Sequence, residues 1–196
     1  MLPYVNIHTH RPTGSGIELR TEGVHPWDAD MQLVATLGER LSDAQAVGET
    51  GLDFVHGPSR EVQTEALRAQ LRLARERELP VVLHCVRAFE PLMRELAACE
   101  PRAVIFHGFI GSPEQARQAL AKGYFLSFGE RAFASPKTLA ALRETPLSQL
   151  FLETDDSPVP IEEIYARAAE ARGVPTEELQ QATLANYERL FETRHG

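Results

Sequence analysis

Short apolar runs alternate with longer amphipathic stretches along this chain of 196 residues, the pattern that βα units and a parallel sheet produce. The runs that read as strands are Tyr4–His8, Ile17–Val24, Ala44–Glu49, Pro80–His84, Ala103–His107, Tyr124–Phe128 and Leu150–Thr154. They are close to continuously apolar, as strands covered on both faces should be. Between them, Glu61–Glu78 carries Val62, Ala66, Leu67, Ala69, Leu71 and Ala74 in a helix-compatible stripe. Ser112 and Ser135 each stand before a proline, pairing a capping hydroxyl with a residue suited to the first helical position. After Asp155 the pattern is helical only, roughly Ile161–Arg172 and then from Thr176, with Gly173 and Pro175 between them.

These strands are one fewer than a full (β/α)8 barrel requires. The deficit falls early, because only residues 11–24 separate His10 from His25, too little for a helix and a further strand. The expectation is a single α/β domain over residues 1–196, a compact TIM-barrel-like fold of about seven parallel strands with its site at their carboxyl ends. The length is enough for one hydrophobic core.

Composition narrows the function. No run approaches ~18 consecutive apolar residues, so no membrane span is expected, and no basic region followed by an apolar stretch marks a secretory signal. Cys85 and Cys99 are the only cysteines and form no ligand or disulfide pattern, which fits a reducing cytoplasm. The net charge of −8 argues against a broad basic surface that coats nucleic acid. It leaves room for an enzyme that meets phosphates through bound cations. Lys122 and Lys137 are the only lysines, and neither ends an apolar run, so a modified bridging lysine has no candidate.

The strand ends carry the chemistry. In order they present His8 and His10, Glu49, His84, His107 and Asp155, with His25 just past the second strand. His8 and His10, two apart on a strand, point to one face. A single histidine at a strand end is usually structural, but here only His56 and His195 lie away from such positions. Imidazoles with carboxylates suit Zn²⁺, Mn²⁺ or Fe²⁺, in a site for one or two metals.

At these residues the chain resembles the TatD-type metal-dependent hydrolases. The resemblance rests on Asn6-Ile-His-Thr-His10, Gly23-Val-His-Pro-Trp27, Val47-Gly-Glu-Thr-Gly-Leu-Asp53, Leu79-Pro-Val-Val-Leu-His84, Phe106-His-Gly-Phe-Ile-Gly111 and Phe151-Leu-Glu-Thr-Asp155. It implies a TIM-barrel-like metallohydrolase, usually a deoxyribonuclease or phosphodiesterase, using one or two divalent ions (Zn²⁺, Mn²⁺ or Mg²⁺). It also implies that His8, His10, Glu49 and Asp155 hold one metal and that Glu49, His84 and His107 hold a second, with Glu49 bridging. A metal-bound water would attack, with Asp155 orienting it or taking its proton. The implied partner is DNA or a small phosphoester. The other readings are hydrolysis of a phosphomonoester, amide or lactone, and a non-catalytic metal-binding member.

Around this set, His25 either contacts substrate phosphate or a metal-bound group, or fixes the Pro26 turn. Asp53 either supports a ligating imidazole or caps the following turn. Arg87 either neutralises phosphate or makes a surface ion pair. Glu153 shares a face with Asp155, near the site or filling the barrel layer with a partner. Trp27, Phe109 and Phe128 either stack on a base or pack under loops. Cys85 reads as a buried structural thiol. The chain departs from the family at His84-Cys85-Val86-Arg87-Ala88, where His-Ser-Arg-Asp-Ala is common, and in the short segments before His25 and after Asp155. These changes touch the rim, where substrate is chosen, and leave the metal positions intact.

Overall fold

In the computed structural model, which describes residues 2–192, strands and helices alternate as the hydrophobic pattern requires. In chain order they are β1 (Val5–Asn6), β2 (Ile17–Glu18), β3 (Thr21–Glu22), α1 (Met31–Arg40), β4 (Ala46–Asp53) and α2 (Arg60–Glu76). Then come β5 (Val81–Val86), α3 (Phe89–Cys99), β6 (Val104–Phe106), α4 (Pro113–Ala121) and β7 (Phe125–Phe128). The last are α5 (Pro136–Glu144), β8 (Leu150–Leu152), α6 (Ile161–Arg172) and α7 (Thr176–Tyr187). His195 lies outside the described residues. The expected second strand, Ile17–Val24, is instead two short pieces, β2 and β3, broken at Leu19-Arg20. No described helix is long and apolar enough to cross a membrane.

The chain divides into two compact units, Met1–Leu19 with His107–Gly196, and Arg20–Phe106. In the second of these, β3, β4, β5 and β6 are parallel neighbours in that order. Helix α2 turns Gln63, Ala66, Leu67, Gln70, Leu71 and Ala74 inward, a stripe of helical period. Val62, expected in that stripe, is exposed. Two glutamines occupy the buried face because each satisfies backbone that would otherwise be orphaned. Gln70 accepts from Val24 N at 2.7 Å and donates to Val24 O at 3.0 Å. Gln63 accepts from Asp53 N at 2.8 Å and donates to Asp53 O at 2.8 Å and His56 O at 2.9 Å.

Strand β4 does not stop at Glu49 as expected; it runs on to Asp53. Likewise His84 is internal to β5, which ends at Val86. Val47 pairs with Val81 and Thr50 with Leu83, so β4 carries one more residue than β5 across this step. Such a bulge reverses the alternation of side chains beyond it. After it Gly51 pairs with His84, and Asp53, two residues on, shares the face of His84. Glycine is required at Gly48, where a Cβ would lie 2.7 Å from Val82 Cβ. It is required again at Gly51 (φ 143°), where a Cβ would run into the His84 carbonyl.

In the other unit β1 pairs with β2 and β7 with β8, both in parallel. Ile7 N donates to Leu152 O (3.1 Å), Asp155 N to His8 O (3.1 Å) and His10 N to Asp155 O (2.9 Å). These bonds carry the β1 and β8 segments side by side past their regular ends. Asn6 locks them: its Oδ1 accepts from Thr154 N at 3.0 Å and its Nδ2 donates to Thr154 Oγ1 at 2.9 Å. Buried Tyr165 of α6 donates to Val5 O at 2.9 Å. Ser112 opens α4 in a reciprocal capping box with Gln115, and Ser135 caps α5, as the serine-proline pairs predict. Gly173, left-handed at φ 67°, closes α6.

Candidate metal centre

Within the unit of Met1–Leu19 and His107–Gly196, the adjoining β1 and β8 segments put His8 and His10 on either side of Asp155. His8 Nε2 lies 3.7 Å and His10 Nε2 3.5 Å from Asp155 Oδ1. Those separations are long for hydrogen bonds and suit atoms gathered around a shared cation. Asp155 holds a left-handed backbone (φ 55°), a conformation that costs energy outside glycine. The ladder bonds on both sides enforce it.

His107, just past β6, has its ring 4.3 Å from that of His8. Its Nδ1 is 3.2 Å from Oε1 of wholly buried Glu153. Burial opposes a charge on Glu153, but His107 and His8 beside it hold its carboxyl below the usual range. A carboxylate accepts, so Nδ1 carries the hydrogen and Nε2 keeps the lone pair that a metal needs. Ligand atoms of His107, Glu153 and Asp155 lie within 4.8 Å of one another. Glu153, placed by sequence either near the site or in the barrel layer, is thus the partner of a candidate ligand.

In the Arg20–Phe106 unit the same logic recurs. Asp53 Oδ2 is 3.2 Å from His84 Nε2, which leaves the lone pair of the neutral ring on Nδ1. That atom lies 3.6 Å from Glu49 Oε1. Two electron-rich atoms facing each other at this distance suit an intervening cation. Asp53 also caps the following turn, since its Oδ1 accepts from Val55 N at 2.8 Å and His56 N at 3.0 Å. Burial works against its ionisation, yet bonds from Trp27, Val55, His56 and His84 keep the carboxyl well below the usual range.

Ligand atoms of His25, Glu49 and His84 also fall within 4.8 Å of one another, but His25 is a donor there. Its Nδ1 accepts from Trp27 N at 3.1 Å, capping the turn Pro26–Asp28. The hydrogen of the neutral ring therefore sits on Nε2, 3.1 Å from Glu49 Oε1. His25 thus fixes the turn, and its N–H lies beside the candidate ligand Glu49. Arg87 follows β5 with φ 49°, is exposed, and forms no ion pair among the described residues. Phe109 and Phe128 are buried against each other edge to face at 5.7 Å, so neither reaches a base. Trp27 is half exposed. Cys85 is partly buried, and burial pushes its thiol up to about 12.

Asn6, Gln63, Gln70 and His56 have roles in the structure that their places in the sequence did not by themselves mark. Asn6 had a signal in its motif, directly before the first apolar-to-histidine step. The glutamines had only their places in an otherwise apolar stripe.

The family model for TatD-related DNases matches residues 18–192. The metal-dependent hydrolase YjjV of Escherichia coli K12 is 34% identical over 177 residues, covering 82% of this chain and 68% of that protein. A 3′-5′ ssDNA/RNA exonuclease TatD from Citrobacter rodentium is 31% identical, covering 87% and 76%. The human deoxyribonuclease TATDN3 is 28% identical, covering 90% and 75%. Among solved structures, E. coli YjjV superposes with TM-score 0.78 at 28% identity, covering 89% of this chain and 77% of its own. A TatD-family hydrolase from Entamoeba histolytica gives TM-score 0.77 at 18% identity, covering 90% and 75%, and supports the fold alone. The fold is thus the α/β, TIM-barrel-like one that the strand pattern predicts.

Proposed function

That the chain belongs to the family of TatD-related DNases is the premise from which we propose its activity: metal-dependent hydrolysis of phosphodiester bonds in DNA. The exonuclease relatives favour a single strand as substrate. The family match runs unbroken from residue 18 to 192, which supports treating the chain as one functional domain. The observation that carries the reading is the repeated imidazole–carboxylate arrangement, His84 on Asp53 and His107 on Glu153. Metal-ligating histidines are oriented in this way.

The proposed ligands are His8, His10, His107 and Asp155 in one unit and Glu49 and His84 in the other. A divalent cation held by such groups would make a bound water more acidic and offset phosphoryl charge. Zn²⁺, Mn²⁺ and Mg²⁺ are the candidates. Asp53 and Glu153 fix the ring that each ligand histidine presents. Asp155 orients the attacking water and accepts its proton, and Glu49 is the second carboxylate proposed as catalytic. His25 shares its Nε2–H between Glu49 Oε1 and a phosphate oxygen, with Arg87 adding charge beyond β5.

The test is cleavage of a single-stranded oligonucleotide by protein stripped with EDTA and reloaded with Mg²⁺, Mn²⁺ or Zn²⁺. Activity is expected to return with metal, and Glu49→Ala and Asp155→Ala are expected to remain folded and inactive. Failure to cut any nucleic acid with any cation, alongside turnover of small chromogenic phosphomonoesters, amides or lactones, would overturn the reading.

A further inference from the structure

The chain has a single tryptophan, and Trp27 is 50% exposed. A large aromatic surface left in water forgoes stabilisation that burial would provide, so its position invites a ligand. Trp27 is nonetheless held firmly. Its indole Nε1 donates to Asp53 Oδ2 at 2.6 Å, which fixes one edge of the ring. Its backbone N–H is bound by His25 Nδ1, and Gln70 holds Val24 immediately upstream.

Beside it stands His56, whose side chain is 60% exposed. The two ring centroids are 5.2 Å apart at an interplanar angle of 52°. The loop that carries His56 is equally constrained. Buried Gln63 donates to the carbonyls of Asp53, His56 and Pro58, and Asp53 Oδ1 accepts from Val55 N and His56 N. Gly57 lets this loop lie against the tryptophan segment: at φ 87°, a Cβ would sit 2.8 Å from both Pro26 O and Trp27 Cα. Val55, one residue before His56, is also 51% exposed.

This surface adjoins the candidate catalytic groups of its unit. The Trp27 ring centroid is 4.9 Å from that of His25 and 6.1 Å from that of His84. A base stacked on it would therefore lie close to a phosphate that His25 contacts. An aromatic platform, ordered in advance and set beside a phosphate site, matches a nucleotide, whose flat base lies next to its phosphate.

We propose that Trp27 and His56 form a stacking platform for the nucleobase adjoining the scissile phosphate. The proposal rests on the phosphodiesterase reading and names a substrate subsite within it. Because stacking engages the face common to all bases, the platform selects for the presence of a base and not for its identity.

Two measurements test it. With metal-loaded protein, dTMP is expected to quench Trp27 emission saturably, and deoxyribose 5-phosphate at equal concentration is expected to leave it unchanged. In kinetics, one oligonucleotide is compared with its counterpart bearing abasic residues at the cleaved end. Trp27→Ala is expected to lower the preference for the base-bearing strand, expressed as the ratio of KM values, by on the order of 5- to 150-fold. Trp27→Phe, which keeps a stacking face but loses the bond to Asp53, is expected to retain most of that preference. His56→Ala is expected to reduce it severalfold. Equal losses on both strands would show that Trp27 acts only by positioning Asp53 and would overturn the proposal. Equal response of the emission to both small ligands would overturn it as well. If the wild type cuts neither strand, the nuclease reading fails while the emission assay still decides whether a base binds.

Discussion

Glu153 Oε1 lies 3.2 Å from His107 Nδ1, and no part of Glu153 reaches the surface. A buried carboxylate in this position sets the tautomer of the ring and so determines which nitrogen can face a cation. Asp53 does the same for His84 from the opposite ring nitrogen. Removing either carboxylate should weaken metal binding although neither is a proposed ligand. Glu153→Gln and Asp53→Asn are each expected to lower divalent-metal affinity about 10- to 100-fold with the circular dichroism spectrum retained. Titration calorimetry checks this, and wild-type affinity in both variants would contradict it.

The close approach at Gly48 leads to a second expectation. A methyl group there would collide with Val82. Gly48→Ala should displace the bulge that bears Glu49, costing about 1–3 kcal/mol and most of the activity. Urea midpoints and oligonucleotide turnover measure the two effects, and an unchanged midpoint would show that the strand pair accommodates the added carbon.

Gln70 supplies the partners of both backbone polar groups of Val24. Gln70→Leu keeps the bulk of the side chain and leaves those groups unpaired in a buried setting. A loss of about 1–3 kcal/mol is expected, read from chemical denaturation. A neutral result would mean that water replaces the amide.

Asp53 provides a test by pH. Its folded carboxyl is held below the unfolded value of about 3.9. The unfolded state therefore binds more protons as the solution becomes acidic. The contribution of Asp53 to stability is complete above the unfolded pKa and fades as pH falls toward the folded one. The difference in urea midpoint between metal-free wild type and Asp53→Asn should shrink steadily from pH 5 to pH 3. A constant difference would assign the stabilisation to something other than this ionisation.

Burial raises the Cys85 thiol to about 12, with Asp53 adding to the shift and the bond from Ala88 N–H opposing it. Thiolate is the reactive species, so in a Cys99→Ser background Cys85 should react with a disulfide reagent at pH 8 far more slowly when native than when unfolded. Rapid native labelling would show that the thiol is open and ionised.

Much of this architecture was legible in the hydrophobic pattern. Alternating runs and stripes located most strands and helices, and the spacing of His8 and His10 implied a common direction that Asp155 confirms. The resemblance supplied the expected ligand set and with it the significance of Asp53. Other features were hidden because local periodicity does not encode them. Glu49 looked like the end of a strand because a regular ladder cannot announce an inserted residue. Gln63 and Gln70 carried no signal of their own, because polarity alone does not show that an amide will satisfy backbone from another element. Trp27, Phe109 and Phe128 were alike as aromatics beside strand ends, and only tertiary packing separates the exposed ring from the two buried ones.

The extra residue of β4 makes the count of positions between Val47 and Asp53 a matter of parity. Losing one residue such as Thr50 would leave Glu49, Asp53 and His84 in the chain and still swing Asp53 to the far side of the ribbon, away from the imidazole it steadies. Mutational drift can whittle the surface segments on either side of this core without penalty, but at this step a change of length by one is a change of handedness in what faces what. Natural variation among relatives should therefore include scarcely any change in how many residues this stretch contains, even where the side chains at Val47, Thr50 or Leu52 are exchanged.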